Sequence, residues 1–149
     1  MVGSIKTGAL VGELIEGDDG SPVEVVGAWA KTKHEYLCRY VDISRGVRSK
    51  WLDQGKAGAT LIDPFCGPGR CRIRGTSEFI DGGVVAAWKK SADSKTPFSA
   101  VYIGDIETER VEACGNCQEF CARGRFRHWL TNLSPKTTAN WVLASNHSR

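Results

Sequence analysis

The chain has 149 residues and a mass of 16.3 kDa, with 41% apolar residues, 25% charged residues and a formal charge of +3. That length suits one domain at roughly 100–200 residues each, and that composition excludes a disordered or collagen-like chain. No apolar run approaches the roughly 18–20 residues that span a bilayer, and no secretory signal is read at the N-terminus, so the expectation is a cytoplasmic protein without a membrane partner.

The charge is unevenly spread. All 17 acids lie at or before Glu119, so residues 1–121 hold 15 basic and 17 acidic groups. The tail carries Arg123, Arg125, Arg127, Lys136 and Arg149 and no acid. Only the tail has the electrostatic signature of a nucleic-acid binder. Six cysteines without a signal peptide read as reduced thiols rather than a disulfide framework.

In chain order, residues 1–22 end in GDDGSP and read as a turn-rich leader without periodicity. Trp29, Lys33, Leu37 and Tyr40 follow a four, four, three spacing, which predicts a helix from Trp29 to about Ser44 with these residues on one face. Trp51 begins a connector. Residues 58–65 (GATLIDPF) predict a short buried strand, followed by a long loop through CGPGR and CRIRGTSEF. Residues 80–90 predict a helix entered through Asp81-Gly82-Gly83, and residues 98–105 (FSAVYIGD) a second strand rich in β-branched and aromatic residues. Residues 106–121 return to a helix. This order predicts an incomplete Rossmann-like α/β domain over 23–121, with the two strands parallel and helices packed against them.

The segment Leu61-Ile62-Asp63-Pro64-Phe65-Cys66-Gly67-Pro68-Gly69 is the most informative. A strand that ends in an acid and a Gly-x-Gly turn lets a nucleotide-like ligand approach the backbone without Cβ obstruction, at the carboxyl end of the strand. Pro68 and the missing third glycine argue against a dinucleotide fingerprint, and no Gly-Lys-Ser/Thr follows for a triphosphate loop. The class that remains is an adenosyl-cofactor loop, with Asp63 holding the amino-acid end of the ligand. The alternative is a strand–turn that uses its glycines for steric reasons alone. Asp105 ends the second strand, where an acid accepts hydrogen bonds from ribose hydroxyls; its alternative role is to cap the following helix.

The runs DDGSPVEVVGAWAKTKHEYLCRYV, LIDPFCGPGR, EFIDG and VYIGDIETERVEA, in that order, resemble the three-Cys-motif partner protein family over residues 18–115. The resemblance implies a class I S-adenosylmethionine methyltransferase-like protein that accompanies a protein bearing a three-cysteine motif. By position, Asp63, Gly67 and Gly69 match the family's first cofactor motif and Asp105 its ribose acid. Trp29 and Lys33 match its N-terminal helix signature, and a packing role is expected for Trp29. Two departures stand out. Gly83-Val84 replaces the family's Ser-Pro at the helix after EFIDG, and nothing after Cys121 resembles the later strand with its Asp-Pro segment. Residues 122–149 therefore read as a truncated or frame-shifted end, the chain as an inactive fragment, and no catalytic residue is named.

The remaining clusters have plainer readings. Cys114, Cys117 and Cys121 have ligand-like spacing, but on a helix they make a buried thiol stripe, so no metal is expected. His34 reads as a solvated surface residue, and His128 and His147 fall in the tail. Arg70, Arg72 and Arg74 alternate beside the glycine loop, where they serve a phosphate or acidic substrate or, as the favoured reading, a solvated loop. A second function class is an accessory or nucleic-acid-binding module, acting beside the three-cysteine partner through the basic tail with Phe126, Trp129 and Trp141.

Overall fold

A computed structural model describes residues 12–117. The expectations for Cys121 and for the tail, including Phe126, His128, Trp129, Trp141 and His147, lie outside the described residues. Among the described residues no helix is long and apolar enough to cross a membrane.

The structure is a mixed α/β arrangement with two sheets. The first holds β1 (Leu14–Glu16), β2 (Pro22–Val26), β4 (Arg70–Ile73) and β5 (Phe79–Asp81) in the order β1-β2-β4-β5. Its β1–β2 and β4–β5 pairs are antiparallel and its β2–β4 pair is parallel. The second pairs β3 (Thr60–Asp63) with β6 (Ala100–Ile103), parallel, with Leu61 opposite Val101 and Ile62 opposite Tyr102. The helices are α1 (Trp29–Ile43), α2 (Arg45–Ser49), α3 (Gly83–Asp93) and α4 (Thr108–Gly115).

The parallel β3–β6 pair and its connecting helix α3 follow the expected scheme, except that β3 is not the buried strand expected: it alternates exposed and half-buried, with Ile62 facing solvent. The mixed four-stranded sheet does not follow that scheme. The expected leader contains β1, joined to β2 by the GDDGS turn, where Gly20 takes φ +77° and the Gly17 N–H donates to the Ser21 carbonyl at 2.9 Å. The expected long loop contains β4 and β5. Arg70, Cys71, Arg72 and Ile73 alternate between half-buried and buried, a period-two pattern that the arginines conceal because they are polar.

The core lies between the parallel pair and the two later helices. Val84, Val85, Val101, Ile103, Val111 and Cys114 are all at most 2% exposed and form one cluster with Cys66. Each such aliphatic side chain contributes about 1.5–3 kcal/mol on burial, whereas an exposed ion pair such as Lys31–Glu78 contributes about 0–1 kcal/mol, so packing decides the fold.

Helix α1 packs on α3, with His34 and Leu37 beside Gly83 and Cys38 against the Ala86 carbonyl, and its buried residues Ala30 and Val41 lie one position round from the expected Trp29 and Tyr40. Trp29 and Tyr40 are consequently exposed, which corrects the packing role expected for Trp29. The inward face of α1 carries the small Ala30 and Val41, while the large rings face solvent. His34 is likewise not a solvated residue. It is half-buried beside the start of α3, where a methyl at Gly83 would meet Leu37 at 3.6 Å and His34 at 3.7 Å.

Arg48 anchors the helical pair to the segment before β6. Its Nε donates to the Thr96 carbonyl and its Nη2 to Thr96 Oγ1, each at 3.0 Å, while Nη1 reaches the Val41 carbonyl and Ser44 Oγ. The guanidinium also lies 5.0 Å from the centre of the Phe98 ring. Arg48→Met leaves these buried acceptors unmet and lowers the unfolding free energy by about 3 kcal/mol, read as a lower urea midpoint.

Burial of His34, reinforced by the Lys33 charge, holds its imidazole below the ordinary value of 6.5 against an opposing pull from Asp81. The unfolded chain therefore binds the proton first, so stability falls as pH drops below 6.5 and levels off once pH passes the lower folded value. Equilibrium unfolding across that window is expected to show this slope in the native chain and to lose it in His34→Gln.

Candidate functional site

The expected site residues meet at the carboxyl ends of β3 and β6. Asp63 ends β3 opposite Ile103, and the two strand ends are tied by Gly104 N–H to the Asp63 carbonyl at 2.8 Å and Cys66 N–H to the Gly104 carbonyl at 2.9 Å. Asp63 and Asp105 thereby reach the same end of the parallel pair, on either side of the glycine loop.

Asp105 is buried and has both carboxylate oxygens engaged. Oδ2 accepts the Gly67 N–H at 3.0 Å and Oδ1 accepts the Glu107 N–H at 3.2 Å. It thus holds the loop and the chain entering α4 together. Each carboxylate oxygen has a second lone pair that these bonds leave unused. Asp63 is half-buried, and its Oδ1 accepts the Phe65 N–H at 3.0 Å in a local turn.

The two glycines face inward. Gly67 has φ +60° and Gly69 φ +82°, a backbone region costly to other residues. A Cβ on Gly69 would lie 3.1 Å from the Cys114 Cα, and one on Gly82 would lie 2.9 Å from the Gly69 carbonyl carbon. Gly82 N–H in turn donates to the Gly69 carbonyl at 2.7 Å. The loop is therefore closed against α4 and the entry to α3, and residues 66–69 are all buried. The Gly67 N–H that a ligand would seek is already given to Asp105.

What the strand ends do expose is apolar. Ile62, Phe65 and Ile106 are all large, solvent-facing side chains that flank the two acids in sequence. Composition and motif reasoning singled out the acids and glycines but passed over Phe65 and Ile106. The signal was available, because each is an apolar residue one or two positions beyond a strand-ending acid.

A cleft of about 350 Å³ opens on the other flank of the loop, at Pro68. Asp18, Asp19, Arg70, Asp81, Asn116 and Cys117 are among its lining residues, and Asp63 and Asp105 are not. Arg70 is not free to take an anion there. Its Nη2 meets Asp18 at 3.0 Å, its Nη1 meets Asp19 at 2.7 Å, and the guanidinium lies 5.2 Å from the centre of the Phe79 ring. The Ser21 N–H foremost, and then Arg70, holds the Asp19 carboxyl below its usual range. Arg70 and Arg72 thus belong to β4 rather than to a solvated loop, and Arg74 is exposed beyond it.

Of the expected thiol stripe, Cys114 is buried on α4, Cys117 is half-buried beyond the end of that helix, and Cys121 lies outside the described residues. Cys66 and Cys114 share the core, with Cys117 packed against it. Its hydrogen bond with Cys66, followed by burial, pushes the Cys114 thiol strongly up, and burial pushes Cys71 up to about 12. Such thiols stay protonated, whereas metals and electrophiles take the thiolate. Among the described residues no group of three or more histidines, cysteines or acids is placed to hold a metal ion.

The loop geometry sets a clear mutational contrast. Gly69→Ala combines an unfavourable φ with a backbone clash and is expected to destabilise by about 2–4 kcal/mol, whereas Gly55→Ala, also at positive φ but in open space, loses only about 1–2 kcal/mol, both read from urea unfolding. No protein-family model, curated protein or solved structure matches the chain.

Proposed function

We propose that the carboxyl end of the β3–β6 pair binds S-adenosylmethionine, in a methyltransferase-like protein of the Rossmann-like class. The observation that carries this reading is the convergence of Asp63 and Asp105 at adjacent parallel strand ends, the place where open α/β sheets take ligands. The residues suit the group in three respects. Asp63 offers a carboxylate to the cofactor's ammonium, Asp105 retains lone pairs for ribose hydroxyls, and Phe65 and Ile106 offer apolar surface to the adenine ring. Gly67 and Gly69 serve the site indirectly, by letting the loop close so that Asp105 is held in place.

S-adenosylmethionine supplies a methyl group on a positively charged sulfur, open to in-line displacement by a nucleophile. The chain's own contribution is orientation and charge. Asp63 would hold the amino-acid end of the cofactor and Asp105 its ribose, and burial of the Asp105 carboxylate keeps its geometry rigid. The catalytic groups and the methyl acceptor are left open. A three-cysteine-motif partner, implied by the family resemblance, and a cytoplasmic location, expected from the sequence, are part of the same proposal. The alternative of an accessory module working through the basic tail concerns residues outside 12–117.

Isothermal titration of the full chain with S-adenosylmethionine tests the reading. A saturable heat is expected, and Asp63→Asn is expected to weaken binding at least tenfold. That change keeps an oxygen for the Phe65 N–H while removing the charge. Absence of heat, or equal affinity in Asp63→Asn, overturns it.

A further inference from the structure

We infer that the outer edge of α1 and α2 is a binding surface for single-stranded nucleic acid, independent of the cofactor reading. Four observations converge on it. Trp29 (64% exposed), Tyr36 (65%), Tyr40 (71%), Ile43 (81%) and Val47 recur at spacings of seven, four, three and four, so they form one solvent-facing stripe. Along α1 alone that stripe is about 21 Å long at 1.5 Å per residue.

The second observation is charge. Residues 29–51 hold six cations against two carboxylates, while the remainder of 12–117 holds eight cations against fourteen carboxylates. Arg48 is buried, so five exposed cations, Lys31, Lys33, Arg39, Arg45 and Lys50, lie along the segment in which α1 exposes its aromatic rings. Third, two of these cations sit on rings. Lys33 Nζ is 5.6 Å from the centre of the Trp29 ring and the Arg39 guanidinium is 5.7 Å from that of Tyr36. Fourth, Lys33, Arg39 and Lys50 make no ion pair among the described residues, unlike Lys31 and Arg45.

Unpaired cations interleaved with exposed rings are what a flexible anionic strand needs. Bases stack on rings and on the guanidinium plane, and the phosphates meet the ammonium and guanidinium charges. A second copy of the chain fits poorly, because two such faces would bring like charges together. A purely acidic peptide would use the cations but gain little from three exposed aromatic rings.

The test is fluorescence anisotropy of the full chain with labelled oligo(dT) of about 20 nucleotides, longer than a typical site of roughly 4–16. Binding is expected, and Tyr36→Ala/Tyr40→Ala is expected to weaken it at least tenfold, since each stacked base contributes about 1–3 kcal/mol. Both side chains are solvent-facing, and unchanged circular dichroism confirms an intact fold. Lys33→Gln/Arg39→Gln is expected to flatten the slope of log K against log salt by about 1.4, at roughly 0.7 per phosphate contact. The basic tail is intact in both variants, so these losses belong to the helices. Unchanged affinity in the aromatic variant, equal affinity for a blunt duplex or for polyglutamate, or no binding at low salt overturns the inference.

Discussion

One backbone N–H, that of Gly67, sets the arrangement of everything around the parallel strands. It is given to the buried carboxylate of Asp105, which also takes the Glu107 N–H. Through these two bonds the end of β6, the glycine loop and the entry to α4 become a single rigid junction. The loop has no room for side chains at Gly69 and Gly82, since each would collide with backbone. Close packing of this kind is what links the second sheet to the first, because β4 of the mixed sheet leaves directly from Gly69.

The buried cations illustrate two solutions to one problem. Arg110 is 3% exposed and is answered by carboxylates, Glu107 at 2.7 Å and Glu24 at 3.3 Å, with the Gly12 carbonyl at 2.6 Å. Arg48 is answered by carbonyls, hydroxyls and an aromatic ring, and burial lowers its pKa with only Asp42 opposing. Arginine tolerates this because its charge is delocalised and its donors form a planar fork. Both side chains join segments distant in sequence, Arg110 to the β1–β2 hairpin and Arg48 to the turn before β6. Their value is therefore in specifying one arrangement as much as in stabilising it.

The exposed apolar residues fall into two groups with different settings. Ile62, Phe65 and Ile106 accompany two fixed acids at the strand ends, a setting suited to a small ligand with an apolar ring and polar substituents. The α1–α2 stripe accompanies unpaired cations and spans a length no small ligand would fill. Neither group contributes to the core, where the aliphatic cluster is complete without them.

The sequence alone determined the parallel pair, the acid that ends β3, the acid that follows β6 and the helix from Trp29, because each is written in local pattern: β-branched runs, an acid at or after a strand, a periodic helix. It concealed β4, since its alternation carries arginines that become half-buried only when Asp18, Asp19 and Phe79 surround Arg70, and β5, a three-residue strand of half-buried residues with no alternation to reveal it. It also misplaced the packed face of α1 by one residue, because large rings outweigh Ala30 in any hydrophobicity count while the inward face carries the small Ala30 and Val41. Asp105 is the sharpest case. Its position after a strand was legible, but whether it serves a ligand, a helix cap or the loop depends on which N–H groups folding brings within 3.2 Å, and that is a property of tertiary structure.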